Sequence, residues 1–210
     1  MNESLTTLQP LRQIPGNVLC AQDYEILARR FIAPPSYAYI AGGCAHDVTL
    51  AANRATLAEV AIYPRLLRDV SGGHTRLKLF GREFRHPVML APLAYQALVH
   101  PAAELDTARA ADATDTCLVV STLSSQPLEK LAPRVAGERW FQLYFQPDRN
   151  ATVDLVKRAE MAGYTALVVT LDVTIKAPSL SALLRLPGHP HRHLPPNLAN
   201  YPPPPQVVLR

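Results

Sequence analysis

From residue 87 to residue 172 the sequence alternates short apolar runs with longer amphipathic stretches, and this alternation limits the fold more tightly than anything else in the chain. The apolar runs cover 88–91, 117–121, 140–145 and 166–172. Between them lie 101–113, 126–135 and 152–162, the last with Leu155, Val156 and Ala159 on one helical face and Gly163 as its stop. Runs of the first kind are strand-sized, and stretches of the second kind repeat at helical spacing; Pro127 is tolerated in a first helical turn. Strand–helix alternation means βαβ units, a parallel sheet and right-handed crossovers. Ala91-Pro92-Leu93-Ala94 follows the first run, where a dinucleotide-binding fold carries G-x-G-x-x-G, so a (β/α) barrel is favoured.

Length then bounds how much barrel there is. Four strands occupy the 86 residues from 87 to 172, whereas a closed eight-stranded barrel takes about 250. Of the 210 residues only 38 follow Asp172, and nine of the chain's 20 prolines lie among residues 178–210. That segment reads as loop or polyproline-like chain. The expected fold is α/β, of the (β/α)8 TIM-barrel type, with about the first four βα units present as a half barrel. The expected organisation is N-terminal helices and a small hairpin in 1–86, the first half of the barrel in 87–172, and a Pro-rich irregular tail in 173–210. A half barrel leaves its last strand with unpaired backbone groups and an apolar face. The tail, another copy of the chain or a separate second-half polypeptide has to cover them.

Ahead of the barrel, Asp23 is placed to cap a helix over 23–31, with Tyr24, Leu27, Ala28 and Phe31 on one face. A second helix follows Pro34-Pro35 and stops at Ala41-Gly42-Gly43, and a third, capped by Asp47, covers 47–60. Residues 77–84 alternate like a strand and break at Gly81, which predicts a hairpin. With 48% apolar and 18% charged residues the chain is neither a disordered tail nor, its longest apolar stretch being 166–171, a bilayer span. Residues 1–10 are polar and mixed rather than signal-like, which points to the cytoplasm. The net charge of +4 comes from 21 basic and 17 acidic residues, and 17 of the basic ones are arginine, a composition suited to carboxylates or phosphates. No Lys/Arg run serves as a nucleic-acid arm. Cys20, Cys44 and Cys117 fit neither a disulfide framework nor a zinc site and read as small buried apolar residues in a reducing compartment. His189, His191 and His193 alternate in the tail without carboxylate partners and read as solvated, so no metal site is expected.

Polar residues gather where the strands end. Ser121 and Thr122 close the second run, Gln142 and Tyr144 the third, and Thr170 and Asp172 the fourth. A spacing of two puts both members of each of the last two pairs on one side of the strand. Barrels carry function at these C-terminal ends, so three strands ending this way form a ligand-site pattern.

At these positions the chain resembles the FMN-dependent α-hydroxy acid oxidase/dehydrogenase family, that of glycolate oxidase, lactate oxidase and mandelate dehydrogenase. The matching segments are Tyr39-Ile40-Ala41-Gly42-Gly43, with Thr49-Leu50 and Asn53-Arg54; Pro64-Arg65-Leu66-Leu67-Arg68-Asp69-Val70; 87–96 (PVMLAPLAYQ); His100-Pro101 with Glu104; Ser121-Thr122; Trp140-Phe141-Gln142-Leu143-Tyr144; Arg158-Ala159-Glu160; and Val169-Thr170-Leu171-Asp172. They lie within residues 23–172, the N-terminal half of the family's sequence, in family order. The resemblance implies a TIM barrel with FMN at its C-terminal mouth and oxidation of a small 2-hydroxy acid, such as lactate, to a 2-keto acid. Carried over, Tyr39 binds the substrate carboxylate; Pro92, Leu93 and Ala94 lie along the flavin; Ser121, Gln142 and Thr170 hydrogen-bond its ring edge. Tyr144 bonds the substrate's reacting oxygen, and Asp172 orients a histidine base. The chemistry is coherent, since a flavin's pyrimidine edge is a row of donors and acceptors and a carboxylate fixes the tautomer of a neighbouring imidazole. Taken singly, Tyr39 also reads as helix-face core, Ser121 and Thr170 as satisfied strand-end hydroxyls, and Asp172 as a turn cap.

The chain also departs from the family pattern. The family's base histidine, the arginine beside it and its flavin-contacting lysine come from the second half of the barrel, which no segment here matches. Lys176-Ala177-Pro178-Ser179-Leu180-Ser181 stands where a glycine-arginine stretch usually follows the last of these strands, Leu93 replaces a common threonine, and Ala103 replaces a glycine. Leu186-Pro187 and Pro196-Asn197-Leu198 still resemble the family's continuation. The expected partners are a small 2-hydroxy acid and either a homo-oligomer or a second-half polypeptide, with no nucleic acid and no transmembrane segment. Two alternatives accompany the enzyme reading: a non-catalytic truncated remnant or flavin-binding module needing a partner half, and an interaction protein using its Pro-rich tail.

Overall fold

The structure, a computed structural model, describes residues 11–172 and 195–201. The tail histidines, the 176–181 segment, Leu186-Pro187 and the four prolines from 202 lie outside the described residues. The chain divides into two compact units, one from 1–68 and 174–192 and the other from 69–173 and 193–210.

The first unit contains α1 (Ala21–Ala28), α2 (Pro34–Ala41) and α3 (Val48–Ala58). All three expected helices form, with corrected ends. Asp23 is not the first cap; it sits at the third helical position, and its carboxylate reaches back to accept the N–H groups of Leu19 and Cys20 at 2.8 and 3.0 Å. Those bonds, Leu19's first, hold its pKa below the usual carboxylate range. Pro34 and Pro35 lie inside the first turn of α2, where a missing N–H costs nothing. Asp47 precedes α3, but in the left-handed conformation, and its side chain accepts from Gly43 N at 2.8 Å instead of capping α3.

The second unit holds the barrel strands. β1 (Leu77–Leu79) and β2 (Arg82–Phe84) pair antiparallel across a tight turn at Phe80 and Gly81, which both have positive φ, the combination that a two-residue hairpin turn requires. β3 (Met89–Leu90), β4 (Cys117–Ser121), β5 (Arg139–Leu143) and β6 (Ala166–Val169) then form a four-stranded parallel sheet in sequence order. The crossovers are α4 (Glu104–Ala113), α5 (Leu128–Leu131) and α6 (Arg149–Met161). This is a partial (β/α) barrel. Two expectations are corrected by local chemistry. The helix over 126–135 shortens to α5 followed by a 3-10 turn at Ala132–Arg134, because Pro133 has no N–H to give an α-helical bond. The helix expected over 152–162 begins three residues earlier, because the Asp148 side chain accepts from Asn150 N at 2.9 Å and caps it. Gly163, at φ +79°, ends it as expected.

Side-chain parity separates two cores. Leu118, Val120, Phe141 and Leu143 point to the helix layer and pack with Ala108, Ala111, Leu128, Leu131, Leu155 and Ala159. Cys117, Val119 and Trp140 point to the other face and pack with Phe84 of the hairpin. Trp140 meets the rings of Phe80 and Phe84 at 5.8 and 6.1 Å. The hairpin thus covers the inner face of the sheet, with Leu77 and Leu79 packed against that cluster.

Within the segment expected to be loop or polyproline-like, the described residues 195–201 pack against the second unit. Residues Pro196–Leu198 form a 3-10 turn, and Leu198 joins the helix-layer core. Cysteine burial is corrected as well: Cys117 is buried, but Cys20 and Cys44 are exposed. Among the described residues no helix is long and apolar enough to cross a membrane.

Candidate functional site

The inner face of the sheet ends in a row of polar side chains. Cys117, Val119 and Ser121 alternate on β4, Trp140 and Gln142 on β5, and Ala166 and Val168 on β6, with Thr170 the next residue of that parity. Ser121 lies opposite Gln142 in the strand register. Ser121 Oγ accepts from Leu123 N at 3.1 Å and donates to Gln142 Oε1 at 3.0 Å. Gln142 Nε2 donates to Thr170 Oγ1 at 2.9 Å. This sequence of bonds fixes the amide of Gln142: the oxygen faces Ser121 and the nitrogen faces Thr170. One N–H of that amide and the proton of the Thr170 hydroxyl have no acceptor among the described residues. The row therefore ends in donors, on a glutamine that is only 2% exposed.

Thr122 was read only as a strand-end residue, and it supports the row from behind. Its hydroxyl donates to Gln142 O at 2.6 Å and accepts from Tyr144 N at 3.1 Å, which sets the direction of the chain at Tyr144. Pro92 is half-buried, and Leu93 and Ala94 are exposed, in the loop after β3. That loop is joined to the loop after β4 by Tyr95 N donating to Leu123 O at 3.1 Å. Tyr144, Thr170 and Asp172 fall just beyond the strands expected to carry them, since the last register pair is Leu143 with Val169. Asp172 is exposed and is not joined to the row. Tyr39 belongs to α2 in the other unit, where it is half-buried.

Two residues that the sequence reading named only as part of the family resemblance turn out to support the site. Glu104, 4% exposed, accepts from Ser125 N at 2.8 Å and Gln96 N at 3.3 Å through Oε1, fastening the loops after β3 and β4; its Oε2 is buried without a partner among the described residues. The resemblance marked its position without a role, and locally it is an acidic residue in a helix's first turn. Asn197 is fully buried; it accepts from Leu128 N at 2.9 Å and donates to Ser121 O and Thr122 O at 3.4 and 3.3 Å. Arg158 holds the same turn by donating to Asn197 O at 2.9 Å and to the Tyr201 hydroxyl at 3.0 Å.

A family model described as FMN-dependent dehydrogenase matches residues 28–207. The chain is 52% identical over 197 residues to an L-lactate oxidase of Alicycliphilus denitrificans, covering 94% of this chain and 54% of that protein. It is 43% identical over 151 residues to a 4-hydroxymandelate oxidase of Amycolatopsis orientalis, covering 72% of this chain and 42% of that protein. Among solved structures, a mandelate oxidase mutant with (S)-mandelic acid superposes with a TM-score of 0.73 at 39% identity, covering 78% of this chain and 48% of that one. A variant of mandelate oxidase with a C4a-OH-FMN adduct gives the same TM-score. The chain spans about half the length of the curated relatives it matches.

Proposed function

Since the chain belongs to the FMN-dependent dehydrogenase family, we propose that its strand-end row is one half of an FMN site, and that the completed barrel oxidises a small 2-hydroxy acid to the 2-keto acid. The observation that carries this reading is the Ser121–Gln142–Thr170 chain of hydrogen bonds, which leaves two oriented donors at the mouth of the sheet. A flavin's pyrimidine edge presents ring nitrogen and carbonyl acceptors, so the residues present fit the group. Gln142 and Thr170 would hold that edge, Ser121 would keep the glutamine amide from rotating, and the backbone of Pro92, Leu93 and Ala94 would lie along the ring. When bound, FMN supplies the acceptor for the two electrons and the hydrogen that leave the substrate carbon.

The remaining roles fall to residues of this chain that face substrate. Tyr144, its backbone fixed by Thr122, would hydrogen-bond the substrate's hydroxyl or developing carbonyl oxygen. Tyr39 would bind the carboxylate. Asp172 would orient and charge-stabilise an imidazole base carried by the strands that complete the barrel. Whether those strands continue this polypeptide or belong to another is a question of assembly, and the chemistry is the same. The relative at 52% identity is an L-lactate oxidase, so lactate is the first substrate to try. The test is a visible spectrum of the 210-residue chain with FMN, before and after anaerobic L-lactate, alone and with a polypeptide supplying the second half of that relative. The flavin band is expected to bleach only with both halves, and Q142L is expected to weaken FMN retention by about tenfold. Bleaching by the 210 residues alone, or full FMN affinity in Q142L, contradicts the proposal.

A further inference from the structure

A second cleft lies on the helical side of the sheet, away from the strand ends. It has a volume of about 520 Å³, and its apolar walls are Ala132 and Pro133 after α5, and Met161 and Ala162 at the end of α6. Arg139, which also lines it, is the first residue of β5. At strand rise it lies about 10 Å along β5 from Gln142, so the two sites use opposite ends of one strand.

The charges in this cleft do not cancel. Glu129 and Arg158 form a closed pair, with Arg158 Nε and Nη2 donating to the two Glu129 oxygens at 2.7 and 3.2 Å. Arg158 Nη1 is taken by Asn197 O and the Tyr201 hydroxyl. Among the described residues Arg139 has no such partner. Its Nη1 donates to Val135 O at 2.9 Å and lies 3.5 Å from Gly137 O. Its Nε is buried without a hydrogen-bond partner, and Nη2 has none among the described residues. Among the described residues three of the five guanidinium donors are thus unused. Nη2 rests on Gly163, where a Cβ would come within 2.7 Å of it, so the glycine lets the guanidinium settle against the backbone at the edge of the cleft.

We propose that this cleft binds an organic monocarboxylate, whose carboxylate takes the Nε–Nη2 edge of Arg139 while a flat apolar body lies on Pro133, Met161 and Ala162. The Nε–Nη2 edge is the planar fork that matches a carboxylate bidentately. Nε is buried, so a two-point grip requires the guanidinium to tilt outward. The volume lies within the ordinary range for organic ligands, about 300–1,000 Å³, and exceeds what a bare inorganic anion fills. Met161, 79% exposed and unbranched, can adapt to the body of the ligand.

The test is an NMR titration of the full chain with 2-naphthoate. Saturable shifts are expected at the amides of Ala132, Val135 and 161–163, with nuclear Overhauser contacts between the naphthyl ring and the Met161 methyl. The neutral 2-naphthamide and the R139Q variant should each bind about tenfold or more weakly. Because R139Q also alters packing over Gly163, A162F provides the second variant: it fills the cleft, leaves Arg139 in place, and is expected to abolish the shifts. Shifts centred on Ser121, Gln142 and Thr170, unchanged affinity in A162F, or equal binding of the amide would each overturn the proposal. Inorganic phosphate reproducing the same shifts at the same affinity would also overturn it, in favour of a simple anion site.

Discussion

Asn197 carries the sharpest energetic claim in this fold. Its side chain is fully buried and joins three elements: Leu128 N donates to Oδ1 at 2.9 Å, and Nδ2 donates to Ser121 O and Thr122 O at 3.4 and 3.3 Å. N197A removes one well-formed bond and two long ones. Taking the first at about 1–1.5 kcal/mol and each of the others at about half that, the expected loss is about 2–3 kcal/mol. N197D separates hydrogen bonding from shape. A carboxylate in that place still accepts from Leu128 but sets its second oxygen against two carbonyls, so the folded state favours the protonated form. Holding the introduced carboxyl protonated at pH 7, against an ordinary value of about 3.9, costs about 4 kcal/mol. Its folded pKa is raised above its unfolded one, so its contribution is present at low pH and is lost as pH rises. N197D is therefore expected to be the more damaging variant at pH 7 and to approach the parent near pH 4.5, whereas the N197A deficit stays constant. Urea unfolding, followed by fluorescence of the single tryptophan, Trp140, at both pH values measures this. Parallel pH dependence of the two variants, or an N197A loss below about 0.5 kcal/mol, would refute the reasoning.

Three further outcomes follow from single residues. Ala103 is buried at φ +49°, ψ −132°, a conformation that costs an L-residue about 1–3 kcal/mol; less the entropy glycine adds to the unfolded chain, A103G is expected to stabilise by about 1 kcal/mol in the same urea assay. A thiol reagent such as Ellman's should titrate the exposed Cys20 and Cys44 promptly and Cys117 only on unfolding, because burial, and then the charge of Glu138, pushes the Cys117 thiol up to about 11. The Tyr164 hydroxyl donates to Leu128 O at 2.8 Å, and burial holds its pKa well above the ordinary value, so Y164F should cost about 1 kcal/mol at neutral pH. The parent's advantage is fully present below about pH 10 and shrinks above it, since only the unfolded tyrosine ionises there, so the two stability curves should converge at high pH.

The strand and helix pattern was legible because each apolar run is bounded by turn residues and its length permits one structure. The hairpin was legible for the same reason, through Gly81. The strand-end row was legible because period-two parity places Ser121, Gln142 and Thr170 on one face whatever the tertiary details. The errors lie where local pattern competes with a specific bond. The helix over 126–135 satisfied the apolar spacing but could not survive Pro133, and Asp148 captured the start of α6 from Thr152. What the tail packs against was less legible. Its prolines argue for loop, which holds at Pro195, while Pro196 opens a 3-10 turn. Nothing local announces that Asn197 will meet Thr122, 75 residues earlier in the chain. Buried Glu104 is similar: an acid at a helix start reads as a partner of the helix dipole, while its carboxylate in fact accepts two loop N–H groups from β3 and β4 connections.

β6 leads into Thr170 at one end of the site and, among the described residues, pairs only with β5, so it is one of the two edges of the sheet. Its outward residues Leu167 and Val169 are 43% and 45% exposed, and Leu171 beyond it is 74% exposed, although the equivalent outward residues of β4 and β5 are buried under helices. Among the described residues Thr170, which ends the donor row, is held by its N–H on Leu143 O at 3.3 Å and by the Gln142 amide. A further parallel strand on this edge would pair the free backbone groups of β6 and, with its crossover helix, cover those leucines and the valine. It would also limit the motion of Thr170. Barrel closure and flavin binding should then be coupled: adding the second half of the 52%-identical lactate oxidase is expected to raise the urea midpoint of this chain and to tighten FMN together, each by more in the presence of the other. FMN titrations with and without the added half, read by flavin fluorescence, measure the coupling. If closure raises the midpoint while FMN affinity stays the same, the row at the strand ends is structural and the flavin is held elsewhere.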